Sequence, residues 1–251
     1  MRRIGTAAFI LLTLLPVVAS AQEDDSGTNP TSFTFDFRMF LETQSLPGDN
    51  SFMSYTFEYR APISSRVASR LRVRSATLTR STPNGTSSIS GLGDVDARLL
   101  YLPVVRSNFA LATGLEAAFN TASQPELGSG HTTLGPQVFI VLFNPLGAGT
   151  VFAPAYQYVF SVGDSDTRSD VSRSQIDLFF VWLAGNKKHW GVFDPQIVFD
   201  HESGQEFGLI EAEIGQMMFG ATSSYIRPGV GIGGDRPYDW NIEVGFKVIW
   251  R

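Results

Sequence analysis

The stretch Trp240-Asn241-Ile242-Glu243-Val244-Gly245-Phe246-Lys247-Val248-Ile249-Trp250 decides the fold. Trp240, Ile242, Val244, Phe246, Val248 and Trp250 fall on one face, and Asn241, Glu243 and Lys247 on the other. A period of two is that of a strand with unlike faces, because successive side chains of extended backbone point to opposite sides. The length suits a strand crossing a membrane at a tilt, which takes about 9–11 residues. The same alternation recurs upstream. Phe35, Phe37, Met39 and Leu41 oppose Thr34, Asp36 and Arg38; Met53, Tyr55, Phe57 and Tyr59 oppose Ser54, Thr56, Glu58 and Arg60. Val95, Ala97, Leu99 and Tyr101 oppose Asp94, Asp96 and Arg98, and Ile176, Leu178, Phe180 and Trp182 oppose Gln175 and Asp177.

Breakers separate these runs in a regular rhythm. Pro62–Ser65, Pro103–Asn108, Asn144–Gly147, Gly185–Lys187 and Gly220–Thr222 read as short turns. Between them come longer or more polar connections at Thr43–Ser51, Arg80–Ser90, Thr121–Gly130, Gly163–Asp170, Glu202–Gln205 and Gly234–Pro237. Short turns at one end and longer loops at the other are the asymmetry of an outer-membrane barrel. The expectation is an all-β chain forming a single transmembrane antiparallel β-barrel of about 12 strands, with short periplasmic turns and longer extracellular loops. The aromatics agree: Tyr59, Tyr101, Trp182 and Trp250 end strands at the short turns, while Trp240 stands near the long loops. Amphipathic rings at both strand ends are what two membrane interfaces favour, and a soluble sandwich has no need of them.

Composition narrows the class further. The 251 residues include no cysteine, so disulfides, thiolate metal sites and Cys nucleophiles are excluded. The formal charge of −5 leaves no footprint for nucleic acid. Arg2 and Arg3, the apolar Phe9–Val18 and the small residues Ala19-Ser20-Ala21 read as an export signal cleaved after Ala21. A short periplasmic segment, 22–30, would then precede a barrel over 31–251, and the partners implied are outer-membrane lipids and the barrel-assembly machinery.

With apolar residues outward, the charges share the inward phase: Asp36, Arg38, Glu58, Arg60, Arg70, Arg72, Arg74, Asp94, Asp96, Arg98, Glu116, Asp177, Glu211, Glu213, Arg227, Glu243 and Lys247, with Gln137 as further lining. A charge facing lipid at midplane costs about 2–4 kcal/mol, so these groups must meet water or one another. Two readings stay open. Either an arginine ladder opposes carboxylates across a pore, giving a transverse field that orients a solute, or Arg–Asp pairs fill a narrow barrel and hold it shut. A barrel of about 12 strands lies between filled small barrels and open porins.

Three motifs are weighed and set aside. Gly229-Val230-Gly231-Ile232-Gly233-Gly234 spells a dinucleotide fingerprint, but no helix follows, so it reads as a strand with glycines on the lumen face. His201 and Ser203, at i and i+2 on the lipid side, could pair as base and nucleophile of an acyl hydrolase, although no orienting third group is evident. Asp164, Asp166 and Asp170 share one loop and read as solvated rather than as a metal site. No cofactor or metal is expected.

Ser90-Gly91-Leu92-Gly93-Asp94, Leu127-Gly128-Ser129-Gly130, Leu134-Gly135-Pro136, Tyr156–Gly163, Asp194-Pro195 before Asp200, and Asp239-Trp240 follow one another in order. In that order the chain resembles the outer-membrane "meta-pathway of phenol degradation" transporter-like family. The resemblance covers most of the chain from about Thr31. It implies a single-chain barrel that passes small aromatic or hydrophobic solutes and carries no catalytic residues. One departure is the ending, where Trp250 is penultimate and Arg251 last. The sequence therefore predicts an outer-membrane channel for small solutes with a charged lumen. A closed structural or adhesion barrel is the alternative, and a lipid-facing acyl hydrolase using His201 and Ser203 a more remote one.

Overall fold

A computed structural model of the chain describes residues 29–163 and 168–250. The export-signal reading, Asp164, Asp166 and Arg251 lie outside the described residues.

Thirteen strands follow in order: β1 (Phe35–Leu46), β2 (Asn50–Ser64), β3 (Val67–Thr82), β4 (Gly85–Leu92), β5 (Val95–Val105), β6 (Phe109–Phe119), β7 (Thr132–Phe143), β8 (Thr150–Val162), β9 (Ser172–Leu183), β10 (His189–Asp200), β11 (Glu206–Met217), β12 (Thr222–Ile232) and β13 (Trp240–Trp250). One helical turn, Pro125–Leu127, is the sole helix among the described residues. β3 pairs with β5 over Val67–Arg72 and with β4 over Ser75–Thr82. β4 and β5 are therefore one stave broken at Gly93-Asp94, and the barrel has 12 staves. All neighbours are antiparallel, and β1 closes the ring on β13 from Phe35↔Trp250 to Ser45↔Trp240. Closure leaves no unpaired sheet edge around the ring below that break, as a strand structure in hydrocarbon requires; β4, above it, has β3 as its single neighbour among the described residues.

The outer face carries the apolar phase read from sequence. Leu99, Val244, Ile140 and Tyr55 are each at least half exposed on the isolated chain. A continuous belt of this kind is far too apolar for water and calls for lipid. No helix among the described residues is long and apolar enough to cross a membrane, so any crossing is made by strands. Tyr59, Tyr101, Trp182 and Trp250 point outward at the end of the short turns, with the Tyr59 and Trp250 rings 6.5 Å apart, and Trp240 points outward at the loop end.

Two connections differ from expectation. Thr43–Ser51 and Arg80–Ser90, which read as longer or more polar connections, are each mostly strand around a tight turn, at 47–49 and 83–84. Gly48 (φ 77°) and Asp49 (φ 57°) take the left-handed backbone that the first needs. The second is an extension of the wall above the belt, where hydroxyls replace aliphatics on the outer face. Thr77 pairs with Ser90 at 2.9 Å and Thr79 with Ser88 at 3.0 Å. Polarity here marks strand in water rather than loop.

The interior also holds more grease than alternation suggests. Ala110, Val141, Val151, Ala153, Val181, Trp190, Val192 and Tyr225 form a buried cluster on the inner face toward the turn end, with Phe40, Phe139, Phe143 and Phe179 packed against it. The assignment of apolar residues to lipid alone is corrected there. β7 and β8 are apolar on both faces, as strands buried on both sides are. Large rings lie over glycines of the next strand. A Cβ on Gly215 would sit 2.0 Å from the Trp190 indole, and one on Gly245 would sit 2.1 Å from the Tyr225 ring.

Gly215→Ala should therefore expel the indole, lose its hydrogen bond to Glu213 and destabilise the barrel by about 1–3 kcal/mol in urea unfolding from lipid vesicles. Val244→Arg, on the outer face at mid-strand, should cost about 2–4 kcal/mol in the same assay.

Candidate functional site: a lumen with two unlike walls

The inner faces of β1, β2, β3, β5 and β6 bring together six arginines and four carboxylates. Glu58, 1% exposed, is the hub: it accepts from Arg60 at 2.6 Å and Arg72 at 2.6 Å, with Arg38 at 3.5 Å and Arg70 at 4.0 Å. Asp36 takes Arg38 at 2.8 Å. Arg70 donates to Asp96 at 2.8 Å and to Glu116 at 2.7 Å, and Arg98 stands 3.7 Å from Glu116. The strand period explains the grouping: Arg70, Arg72 and Arg74 alternate along β3, and the registers set Arg72 opposite Glu58 and Asp96, and Arg70 opposite Arg98. Arg74 forms no ion pair among the described residues.

The inner faces from β9 to β13 reverse the balance. Arg227 and Lys247 stand among five carboxylates and pair with Asp194, Glu211 and Glu213, while Asp177 and Glu243 share the wall and Glu42 of β1 is joined to it through Asn241 at 3.1 Å. Arg227 bonds Asp194, lies 2.7 Å from Glu211 and 3.8 Å from Glu213. The Trp190 indole donates to Glu213 at 2.6 Å, and the Tyr225 hydroxyl to Glu243 at 2.5 Å. Lys247 lies 5.0 Å from the centres of both those rings, an arrangement in which π faces replace part of a buried ammonium's hydration. In the loop before β13, the Tyr238 hydroxyl donates to Glu211 at 3.0 Å; burial, then the neighbouring carboxylate, raise its phenol above the ordinary value.

Between the walls lies a cavity of about 490 Å³. Arg38, Arg60, Arg70, Arg72, Arg74, Arg98, Asp177, Glu211, Glu213, Arg227, Glu243 and Lys247 line it, as do Phe40, Phe139 and Phe179. Asp96, Glu116 and Gln137 stand behind the lining, the first two as acceptors for Arg70.

Asp94 does not belong to this set. It sits in the break between β4 and β5, where its carboxylate accepts from the backbone N–H groups of Thr121, Ala122 and Ser129 at 3.1, 3.0 and 2.8 Å. It thus pins the 120–131 loop, whose Leu127 packs on the inner side against Ala76 and Leu78. Phase arithmetic put Asp94 beside Asp96 because it cannot see a strand break. Arg168 joins the neighbouring loop to this one through the carbonyls of Gly128 and Pro125.

The structure adds participants that sequence reading missed. Asp194 stands in the inward phase of β10, between Phe193 and Pro195, and that alternation was the available signal. Phe40 shares the phase of Arg38 and Glu42. Asn29, Pro30 and Ser32–Thr34 also line the cavity, a placement for which no periodicity gives warning. The glycines of β12 behave as expected: a Cβ on Gly229 would meet Asn241 at 2.3 Å and Glu211 at 2.7 Å. His201 and Ser203 do not pair. His201 Nε2 instead bonds Ser174 Oγ of β9 at 2.9 Å, and the Ser203 backbone N–H donates to the Asp200 carboxylate, which caps the turn.

No protein-family model and no curated protein sequence matches the chain. Among solved structures it is similar to the COG4313 outer membrane channel from Pseudomonas putida F1, with a TM-score of 0.69 at 10% identity over 91% of this chain and all of that one. It is also similar to the NanC porin, with a TM-score of 0.61 at 11% identity, and to the KdgM porin, with 0.56 at 10% identity; each likeness covers 86% of this chain and 99% of the other. At such identities the likeness shows the fold.

Because Glu58 compensates several guanidinium groups away from bulk water, Glu58→Ala should cost about 3–5 kcal/mol in vesicle unfolding. Glu58→Gln, which keeps the volume but loses the charge and turns one of the two acceptor oxygens into an NH2 donor facing arginines, should cost nearly as much.

Proposed function

We propose that the protein is an outer-membrane channel for small solutes and has no enzymatic role. The observation that carries this reading is the polarised lumen: an arginine-rich wall and a carboxylate-rich wall share one cavity large enough for a small molecule. A barrel that needed only to be closed gains nothing from separating its charges, whereas a pathway for polar solutes uses the field between them. The apolar belt and the aromatic rims agree with a place among outer-membrane lipids, reached through the barrel-assembly machinery, and nucleic acid has no part in it. That the solved structures described above are channels and porins, not enzymes, supports the same reading. The resemblance to the phenol meta-pathway transporter-like family, read from sequence, points to aromatic or hydrophobic solutes, and the phenylalanines on the cavity floor accord with that.

A closed structural barrel is the second reading, favoured by the apolar cluster at the turn end and by the extent of ion pairing. Planar-bilayer recordings separate the two. A conducting wild type is expected, and a silent one would leave the closed barrel standing. In the triple variant Arg70→Ala, Arg72→Ala, Arg74→Ala the lumen loses three positive charges, so the reversal potential in a salt gradient should move toward cation preference. An unmoved potential would count against these residues as pore lining.

A further inference from the structure

The charges of the cavity do not all satisfy one another: Glu42 and Glu243 accept from neutral donors, and the charges left with a bare atom lie on opposite walls. Arg74 lines the cavity on β3 and forms no ion pair among the described residues, and its Nε has no hydrogen-bond partner. On the other wall Asp177 of β9 and Asp194 of β10 are near neighbours, since Asp177 stands opposite Gln196 in the register. Arg227 serves Asp194 alone of the two, and Asp177 forms no ion pair among the described residues. The Oδ1 atoms of both aspartates lack hydrogen-bond partners. Between these walls the floor is apolar, with Phe139 and Phe179 lining the same space. A site therefore offers a spare cation, a carboxylate pair short of one cation, and a greasy surface between them.

We propose that this cavity is a binding step for a small zwitterion with an apolar side group, its carboxylate toward Arg74 and its ammonium toward Asp177 and Asp194. This deepens the channel reading and rests on it. A solute carrying only an anion would gain at the arginine wall and leave the aspartate pair uncompensated. A solute carrying only a cation would do the reverse. A dipolar solute satisfies both walls at once and aligns with the field between them.

Leucine and its two halves test the assignment. 4-Methylpentanoate is leucine without the ammonium, and 3-methylbutylamine is leucine without the carboxylate. Each is added to the full-chain protein conducting potassium chloride in a planar bilayer, and the concentration that halves the current is read. Leucine should block at about one-tenth the concentration either half requires, the effect of one added charge-assisted hydrogen bond. In Arg74→Gln leucine should fall to the level of the amine, and in Asp177→Asn to that of the acid. A general loss of structure would not produce that reciprocal pattern. Equal block by all three compounds overturns the inference and leaves the channel standing. If no current flows, the channel reading falls, and calorimetric titration of the three compounds into detergent-solubilised protein decides the site by the same ranking. Absence of a leucine preference there overturns it.

Discussion

The structure depends on one constraint: backbone N–H and C=O groups facing hydrocarbon have no water to bond, so the sheet must close. The β1–β13 ladder, which runs from Phe35↔Trp250 to Ser45↔Trp240, provides that closure. Once the ring is shut, the period of two does the rest. Every strand has an outer phase that lipid must tolerate and an inner phase that it never meets, and away from the strand ends, where Glu206 stands opposite Phe199, ionic residues are confined to the second. The lumen is thus a by-product of the same requirement that makes the wall.

Confinement creates a further problem, because guanidinium and carboxylate groups crowded inside a narrow ring are poorly hydrated. The chain solves it locally on each wall rather than across the lumen. Glu58 gathers the arginines of β1, β2 and β3, while Arg227 gathers the carboxylates of β10 and β11. Each wall keeps a surplus of its own sign, so the asymmetry survives the pairing. The apolar cluster at the turn end narrows the ring from the side of β6–β11 and leaves the polar cavity against the two charged sectors.

Much of this was legible in the sequence, for physical reasons that also explain the failures. Alternation from Trp240 to Trp250 gave strand, face and length together, since only one face could be apolar. The arginine ladder was visible because Arg70, Arg72 and Arg74 occupy alternate positions. Where both faces are apolar, as in β7, alternation carries no contrast, and the inward Val141 and Phe143 could not be told from their lipid-facing neighbours Ile140 and Leu142. Asp94 kept the correct parity but belongs to a break, and parity does not report breaks. His201 was read against Ser203, its neighbour along the chain, although its partner Ser174 lies across the β9–β10 hairpin. Register, which is a property of turns, supplies such partners.

The divided stave has a consequence of another kind. Because β3 is held low down by β5 and high up by β4, the projecting hairpin is an annex whose length is independent of the barrel's shear. Adding or removing residues in matched pairs at its Pro83-Asn84 tip changes how far it reaches above the rim and leaves the registry of every stave below unchanged. That makes this tip the place where the molecule's outward profile can diversify, or accept a grafted epitope, without renegotiating the wall.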